Sequence, residues 1–239
     1  MPLSRARQGL PAGALRIPQT IESVFVGQNE SFDFPGPAGR LEAVLMRPDG
    51  PPVAVAVICH AHPLHGGVMH FKVVFRAAKA VQAHGLAALR FNFRGVGRSE
   101  GVHDHGRGEQ DDVRAALDEA AARFPGLPLV LGGFSFGSSM AMRVGLQEAR
   151  VGAVFALGFP LDMVEGLSFL DGSTKPRLFV QGAQDQFGSG ARLLDLVGRL
   201  PEPRTAVVIP ESDHFFSGHL EELQRSIETW IARRPWNTA

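Results

Sequence analysis

The chain has one cysteine, no long apolar run and no excess of either charge. A lone thiol, Cys59, cannot form an intrachain disulfide, and no apolar stretch approaches the length of a membrane span. Lysine plus arginine and aspartate plus glutamate both number 24, so the net charge gives no steering towards nucleic acid or an anionic membrane. We therefore expect a cytoplasmic protein without a nucleic-acid or membrane partner.

The 239 residues are enough for one large α/β domain with a sizeable core. Near the start, the apolar segment Leu10–Leu15 is too short and too broken for a signal peptide. Three arginines and no acid surround it, which leaves a transit peptide as an alternative. We predict an N-terminal tail over residues 1–19 and a single domain over residues 20–239.

Apolar runs and helical patterns alternate along the chain from residue 53 onwards. The runs, continuous as in strands covered on both faces, are Val53–Cys59, Leu86–Phe93, Leu127–Gly132, Val151–Leu157, Arg177–Val180 and Thr205–Ile209. The helical patterns are Phe71–His84, Gln110–Arg123, Phe136–Ala149, Ser189–Leu200 and Leu220–Arg233. This alternation predicts an α/β fold with a doubly wound, mostly parallel sheet and helices on both faces.

Two earlier segments predict a different arrangement at the start of the domain. Ile21–Val26 and Leu41–Met46 have the composition of strands, and the stretch between them includes the turn-rich segment Asp33–Gly39. We therefore predict that an N-terminal antiparallel hairpin precedes the parallel strands.

Ser135 is the candidate nucleophile. It lies in Gly133–Gly137, sequence GFSFG, between an apolar run and a helical pattern, as expected for a strand, sharp turn and helix that expose a serine hydroxyl. Ser99 lies in a second match, Gly97–Gly101, but the residues that follow it have no helical period. We therefore interpret Ser99 as a loop serine.

A serine nucleophile needs a base, and the base needs a group that orients it. Asp185 follows an apolar strand and His214 follows the final strand, so the order Ser135, Asp185, His214 is the one this kind of fold requires. Three alternatives stay open. Asp185 could cap the helix near Ser189, His214 could pair with Asp213 on the surface, and Asp162 could be the acid.

The negative oxygen of a tetrahedral intermediate needs two fixed N–H donors. The residue after the nucleophile, Phe136, supplies one, and the loop after the strand that ends at Cys59 should supply the other. Pro63 has no N–H, so the second donor is His62 or Ala61, and we favour His62.

Histidines and phenylalanines are concentrated near these segments. The histidines His60, His62, His65, His70, His103 and His105 could hold zinc, but alternate residues of an extended segment point in opposite directions and no paired cysteines accompany them. We expect them to structure the loop and line the mouth of a pocket, with neither metal nor cofactor. The phenylalanines Phe134, Phe136, Phe159, Phe187, Phe215 and Phe216 line an apolar pocket or belong to the core.

Over about residues 20 to 235, the chain resembles the α/β-hydrolases. The resemblance rests on the GFSFG turn, HAHPLHGG at 60–67, FNFRGVGRSEG at 91–101, GAQD at 182–185 and SDHFF at 212–216. It is nearest to small bacterial serine carboxylesterases that lack a lid and are grouped near dienelactone hydrolase. Dienelactone hydrolase itself has a cysteine nucleophile, so its substrate is not carried over to Ser135.

The resemblance implies a serine hydrolase that cleaves a carboxylic ester of a small or short-chain acyl substrate through an acyl-serine. Only Phe159–Lys175 is available where many relatives insert a cap, so we predict no substantial cap domain and an open site. Thioesterase, lactonase and peptidase activity use the same residues, and a non-catalytic scaffold is a further alternative. The expected partner is a small-molecule ester, and the expected state is a monomer or homodimer.

Overall fold

An eight-stranded sheet forms the centre of the structure, a computed structural model that describes residues 29–234. Its strands are β1 (Asn29–Gly36), β2 (Gly39–Met46), β3 (Ala54–Cys59), β4 (Leu86–Phe91), β5 (Leu129–Phe134), β6 (Val151–Leu157), β7 (Arg177–Gly182) and β8 (Arg204–Ile209). They lie in the order β1-β2-β4-β3-β5-β6-β7-β8. The pairs β1/β2 and β2/β4 are antiparallel and the other pairs are parallel. This confirms the mostly parallel sheet.

Helices cover both faces of the sheet, as the alternating pattern predicted. They are α1 (Lys72–Ala83), α2 (Gly108–Arg123), α3 (Phe136–Gly145), α4 (Gly190–Arg199) and α5 (Leu220–Ile231). Helices α1 and α5 pack on the face that carries Ala54, Ala56 and Ile58, whereas α2, α3 and α4 pack on the face that carries Val55 and Val57. Every residue of β3 is therefore buried, which explains why its sequence is apolar without alternation.

The N-terminal hairpin is confirmed, but its position in the chain differs from the prediction. The predicted strand Ile21–Val26 lies outside the described residues, as does the predicted tail, residues 1–19. The observed β1 includes Asp33–Gly36, which were predicted to be part of the turn, and the turn itself is only Pro37–Ala38. Phe34 packs into the core at 2% exposure and fixes the register of this edge strand, where Pro35 is tolerated.

The other elements begin and end within a few residues of the prediction. The largest differences are in α3, which ends at Gly145 rather than Ala149, and in β5, which extends to Phe134 rather than Gly132. Because β5 runs to Phe134, Ser135 is the single residue between that strand and α3. Within the described range, none of the helices combines the length and the apolar character that a membrane crossing requires.

The carboxyl ends of the parallel strands meet at one edge of the sheet, and their loops gather there. The connection from β6 to β7, residues 158–176, contains two short 3-10 helices, Leu161–Met163 and Leu167–Leu170, and forms no cap domain. This edge of the sheet is therefore left without a covering domain from that connection, as the spacing predicted.

Candidate active site

Ser135 occupies the sharp turn between β5 and α3. Its backbone has φ 54° and ψ −122°, a conformation that is costly for a residue with a side chain. Hydrogen bonds hold it there: the Ser135 N–H donates to the Leu157 carbonyl at 2.9 Å, and the Ser135 carbonyl accepts from the Ser138 hydroxyl at 2.6 Å. The surrounding structure thus fixes the strained turn and presents the hydroxyl at the edge of the sheet.

Glycines on either side of Ser135 allow the backbone to pack closely. A Cβ atom on Gly133 would lie 2.3 Å from the Gly137 carbonyl oxygen, and a Cβ atom on Gly137 would lie 2.3 Å from the His60 carbonyl oxygen. No larger residue fits either position without moving backbone. The same close packing brings the start of α3, and with it Phe136, against the loop that follows β3.

The structure brings together the three side chains that the sequence singled out. Ser135 Oγ lies 2.9 Å from His214 Nε2, and His214 Nδ1 lies 2.7 Å from Asp185 Oδ2. A carboxylate only accepts hydrogen bonds, so the proton of the neutral imidazole is on Nδ1 and Nε2 accepts from the serine hydroxyl. His214 and Asp185 are 2% and 3% exposed, which shields this arrangement from water.

The alternative acids have other partners. Asp162 forms an ion pair with Arg192, and Asp213 accepts hydrogen bonds from the backbone N–H groups of Phe215 and Ser217 at 3.1 and 2.9 Å. The carboxylate of Asp185 makes no hydrogen bond with α4 in the described part of the chain, so it does not act as a cap.

Gln181 is a site residue that sequence reasoning missed. Its side chain is completely buried at the end of β7, and its Nε2 donates to Asp185 Oδ2 at 2.8 Å and to the Gly188 carbonyl at 2.7 Å. Its Oε1 accepts from the Phe159 N–H at 2.8 Å. The available signal was an amide directly after the apolar run Leu178–Val180, because a buried polar group requires partners. Gln181 therefore links Asp185 to the loop after β6.

Three phenyl rings surround the imidazole of His214. The ring centroids of Phe187, Phe134 and Phe215 lie 4.7, 5.1 and 5.3 Å from that of His214. Gly158 completes the enclosure, because a Cβ atom there would lie 3.2 Å from His214 Nδ1. These contacts limit the orientations open to the imidazole.

The phenylalanines named from the sequence divide into two groups. Phe134, Phe159 and Phe216 are fully buried and belong to the core. Phe136 and Phe187 are half-buried, and Phe215 is 46% exposed. The second group provides apolar surface that a ligand can reach.

The loop after β3 lies beside Phe136. Rings of His62 and Phe136 are 5.1 Å apart, and a 3-10 turn over Pro63–His65 begins where His62 Nδ1 accepts from the Leu64 N–H at 3.2 Å. Within residues 29–234, the backbone N–H groups of Phe136, His62 and Ala61 make no hydrogen bond. These are the three N–H groups that the sequence named as candidate donors.

His60 anchors this loop to the loop after β4. Its Nε2 accepts from the Phe93 N–H at 3.0 Å, so Nδ1 carries the proton and donates to the Ala61 carbonyl at 2.7 Å. Complete burial lowers the pKa of His60 to about 4, and the imidazole is neutral at physiological pH. In residues 29–234, no group of three or more His, Cys, Asp or Glu side chains has an arrangement that could hold a metal ion.

Ser99, the serine of the second pattern match, has a different environment. It is 6% exposed, its Oγ donates to the Asn92 carbonyl at 2.7 Å, and the same Oγ accepts from the Glu42 N–H at 2.9 Å. The hydroxyl thus joins β2 to the loop after β4 and has no imidazole partner among the described residues.

Comparison with known proteins places this site in a family. A family model described as an alpha/beta hydrolase domain matches residues 54–232. A protein of Rickettsia prowazekii, itself described as uncharacterized, is 35% identical over 207 residues, which cover 83% of this chain and 87% of that protein.

Two solved structures are similar in both sequence and fold. An alpha-beta serine hydrolase homologue from Coxiella burnetii is 36% identical, with a TM-score of 0.80 over 86% of this chain and 98% of that one. A serine hydrolase without a lid from Xanthomonas campestris is 31% identical, with a TM-score of 0.79 over 88% of this chain and 96% of that one. The family match, the sheet order and these relatives agree, and the chain belongs to the α/β-hydrolase family of hydrolases.

Proposed function

We propose that this chain is a serine hydrolase that cleaves carboxylic esters of small or short-chain acyl substrates through an acyl-serine intermediate. The observation that supports it most directly is the continuous hydrogen-bonded row from Ser135 Oγ through His214 to Asp185, with distances of 2.9 and 2.7 Å. A serine that served only the fold would not need an imidazole held in a single tautomer by a buried carboxylate.

In the proposed reaction, His214 Nε2 takes the proton of Ser135 Oγ as that oxygen attacks the ester carbonyl carbon. The tetrahedral intermediate collapses when its C–O bond to the alcohol breaks, and His214 returns the proton to the departing alkoxide. Water then attacks the acyl-serine and loses a proton to His214. The bond between the acyl carbon and Ser135 Oγ breaks, His214 returns the proton to Oγ, and the carboxylic acid leaves. Asp185 orients His214 and stabilises the imidazolium.

Phe136 and His62 are the proposed donors to the negative oxygen of the tetrahedral intermediate. Their N–H groups have no competing partner in the described chain, and the contact of their side-chain rings places the two residues side by side. Donors that are already fixed before the reaction need no reorganisation when charge develops on the oxygen. No step in this scheme requires a cofactor.

The proposed substrate size follows from the short connection between β6 and β7. Residues 158–176 form no cap, so a long acyl chain would find no enclosed tunnel in this part of the structure. The reachable phenyl rings of Phe187 and Phe215, beside His214, offer apolar surface for a short acyl or alcohol group.

Labelling with a fluorophosphonate tests the proposal, because this reagent reacts with activated serines. We expect labelling and nitrophenyl acetate hydrolysis by the wild type, and loss of both in Ser135→Ala. Ser99→Ala is the matched control, because Ser99 is the other serine in the same sequence pattern. Its hydroxyl bonds only to the backbone of Glu42 and Asn92 among the described residues. Equal labelling of Ser135→Ala and wild type would refute the proposal. It would also be refuted if folded Ser99→Ala lost labelling while Ser135→Ala kept it.

A further inference from the structure

Four histidines form a continuous row on one side of Ser135. Successive ring centroids are 4.5 Å apart from His65 to His62, 4.8 Å from His62 to His103, and 5.2 Å from His103 to His105. We call these four residues the imidazole row. His62 and His103 also contact the Phe136 ring, at 5.1 and 5.8 Å, so the middle of the row lies directly beside the nucleophile turn.

The other side of the site is apolar. Phe71 stacks on Phe134 at 5.5 Å and lies 6.2 Å from Phe215, which in turn contacts His214. Phe71 and Phe134 belong to the face of the sheet covered by α1 and α5, whereas Phe136 belongs to the face covered by α2 and α3. A ligand that spans Ser135 therefore meets phenyl rings at one end and imidazoles at the other.

One member of the imidazole row has a strained backbone, and the two end members are exposed. His105 has φ 51°, a left-handed conformation that is costly for a residue with a side chain and that glycine or asparagine adopts more easily. His65 and His105 are exposed, and their ring nitrogens make no hydrogen bond within residues 29–234. Their N–H groups are therefore available to a ligand.

The charged groups near the row leave its outer surface to the imidazoles. Glu109 Oε1 lies 2.8 Å from His103 Nδ1, and the carboxylate also accepts from the N–H groups of Asp104 and Gly106 at 2.8 Å each, all on the buried side. Asp104 pairs with Arg107 at 3.6 Å. Arg94 pairs with the buried Asp112 at 2.7 Å. Asp104, the acid next to His105 in the chain, is thus paired with a cation.

We infer that the imidazole row binds a carboxylate or phosphate group of the substrate, while the apolar part of the substrate lies against Phe71, Phe187 and Phe215. The inference rests on the proposed function, since it concerns the same site. It names the substrate class as short esters that carry an anionic oxygen group at one end. Imidazole N–H groups donate to such oxygens with charge assistance, which is stronger than donation to a neutral oxygen.

Matched esters test the inference. The wild type is assayed with nitrophenyl hexanoate, with the nitrophenyl monoester of adipic acid, and with nitrophenyl esters of phosphonohexanoic and hydroxyhexanoic acid. These compounds share a chain of four methylene groups and differ in the group at its far end, which is methyl, carboxylate, phosphonomethyl or hydroxymethyl. We expect kcat/KM to be at least about tenfold higher for one or both anionic esters than for the hydroxyl ester, since tenfold corresponds to the strength of one charge-assisted hydrogen bond.

The double variant His65→Asn/His105→Asn removes the two exposed imidazoles of the row and leaves the two donor residues, Phe136 and His62, unsubstituted. Asparagine tolerates the left-handed backbone at His105, so the loop should keep its shape. We expect the preference for the anionic ester, which is the ratio of its kcat/KM to that of nitrophenyl hexanoate, to fall at least about tenfold. His84→Asn, at the far end of α1, is the matched control and should leave this ratio unchanged.

The outcomes separate the inference from the proposed function. If the wild type hydrolyses nitrophenyl hexanoate but shows no preference for either anionic ester, or if the double variant keeps the preference, the inference is wrong and the proposed function stands. If the wild type prefers only the hydroxyl ester, the imidazole row binds a neutral polar group and not an anion, and the inference is wrong. If no ester is hydrolysed and Ser135 is not labelled, the proposed function itself fails.

Discussion

The side-chain amide of Gln181 donates a hydrogen bond of 2.8 Å to Asp185 Oδ2, the same oxygen that lies 2.7 Å from His214 Nδ1. This oxygen thus has two fixed partners, and Asp185 Oδ1 has a third in the Phe187 N–H at 2.8 Å. Because Gln181 also binds the Phe159 N–H, its amide holds the acid and the loop beside His214 in one arrangement.

Replacing Gln181 with leucine should impair this arrangement. The substitution leaves the buried Phe159 N–H without an acceptor and Asp185 Oδ2 without one of its two donors. We expect this loss to lower the free energy of unfolding by about 1–3 kcal/mol. We expect kcat to fall by on the order of tenfold or more with little change in KM, because in the proposed reaction Asp185 positions the base and does not hold the substrate. Urea unfolding and steady-state kinetics on nitrophenyl acetate measure the two effects.

Two further variants show whether Gln181 acts through Asp185. Gln184→Leu, on an exposed glutamine of the same loop, should leave kcat unchanged. Gln181→Glu places a second carboxyl group next to Asp185, and two carboxyls this close share a proton. The pH profile of kcat should then gain a falling alkaline limb, which a purely structural defect would not produce.

Gly67 and Gly66 are neighbours with opposite tolerance to a side chain. A Cβ atom on Gly67 would lie 2.1 Å from the Ala61 carbonyl oxygen, whereas one on Gly66 would meet nothing within 4 Å. Gly67→Ala should displace the backbone of Ala61 and His62 and lower kcat by about a hundredfold, the usual effect of losing one donor to the negative oxygen. Gly66→Ala should cost only about 1 kcal/mol of stability because of its φ of 79°. Similar kcat losses in both variants would argue against a role for this loop in holding the oxygen.

Burial of His60 makes the stability of the fold depend on pH. Its pKa falls from an ordinary value of 6.5 to about 4, so the unfolded chain binds the proton more readily between those values. The contribution of the neutral His60 imidazole to the free energy of unfolding is therefore fully present above about pH 6.5 and is lost as the pH falls towards 4. From about pH 7 to about pH 5 we expect a loss of about 2 kcal/mol from this residue.

Urea unfolding at the two pH values checks this expectation. His60→Asn should be less stable at neutral pH, because the Phe93 N–H loses its imidazole partner, yet it should lose less stability on acidification. If the variant and the wild type lose the same unfolding free energy on acidification, His60 is not the group that causes the loss.

The thiol of Cys59 should be inert in the folded protein. It is fully buried at the end of β3, and burial, followed by the nearby charge of Asp112, raises its pKa well above the ordinary value. Iodoacetamide should modify Cys59 only after unfolding, and ester hydrolysis should survive the reagent. Rapid modification of the native protein with loss of activity would contradict this burial and point to a thiol within reach of the site.

The sequence carried enough information to predict that Ser135, Asp185 and His214 lie together, because each follows a run of apolar residues that ends at the same edge of the sheet. It could not assign a role to Gln181. The contacts of that amide depend on how β7 and β6 are aligned, and on the fold of the loop at Phe159. Contacts of this kind arise from tertiary packing, and local pattern does not specify them.

The first strand shows a different limit. Asp33, Pro35 and Gly36 are typical of turns, and in this sequence they outweighed the alternation of Phe32 and Phe34 that marks a strand. The pairing of β1 with β2 and the burial of Phe34 decide the outcome in the folded chain. Local propensity gave way to packing, as it often does at the edge of a sheet.

Residues 158–176 pass from β6 to β7 through two single-turn 3-10 helices, and nothing in this connection has to swing aside before a ligand enters. Saturation kinetics should therefore show neither a lag nor a jump in rate when an ester aggregates. In the proposed reaction, the same openness gives bulk water access to the acyl-serine. Competing alcohols, present at far lower concentration than water, should capture little of the acyl group, so release of the free acid should dominate over transesterification.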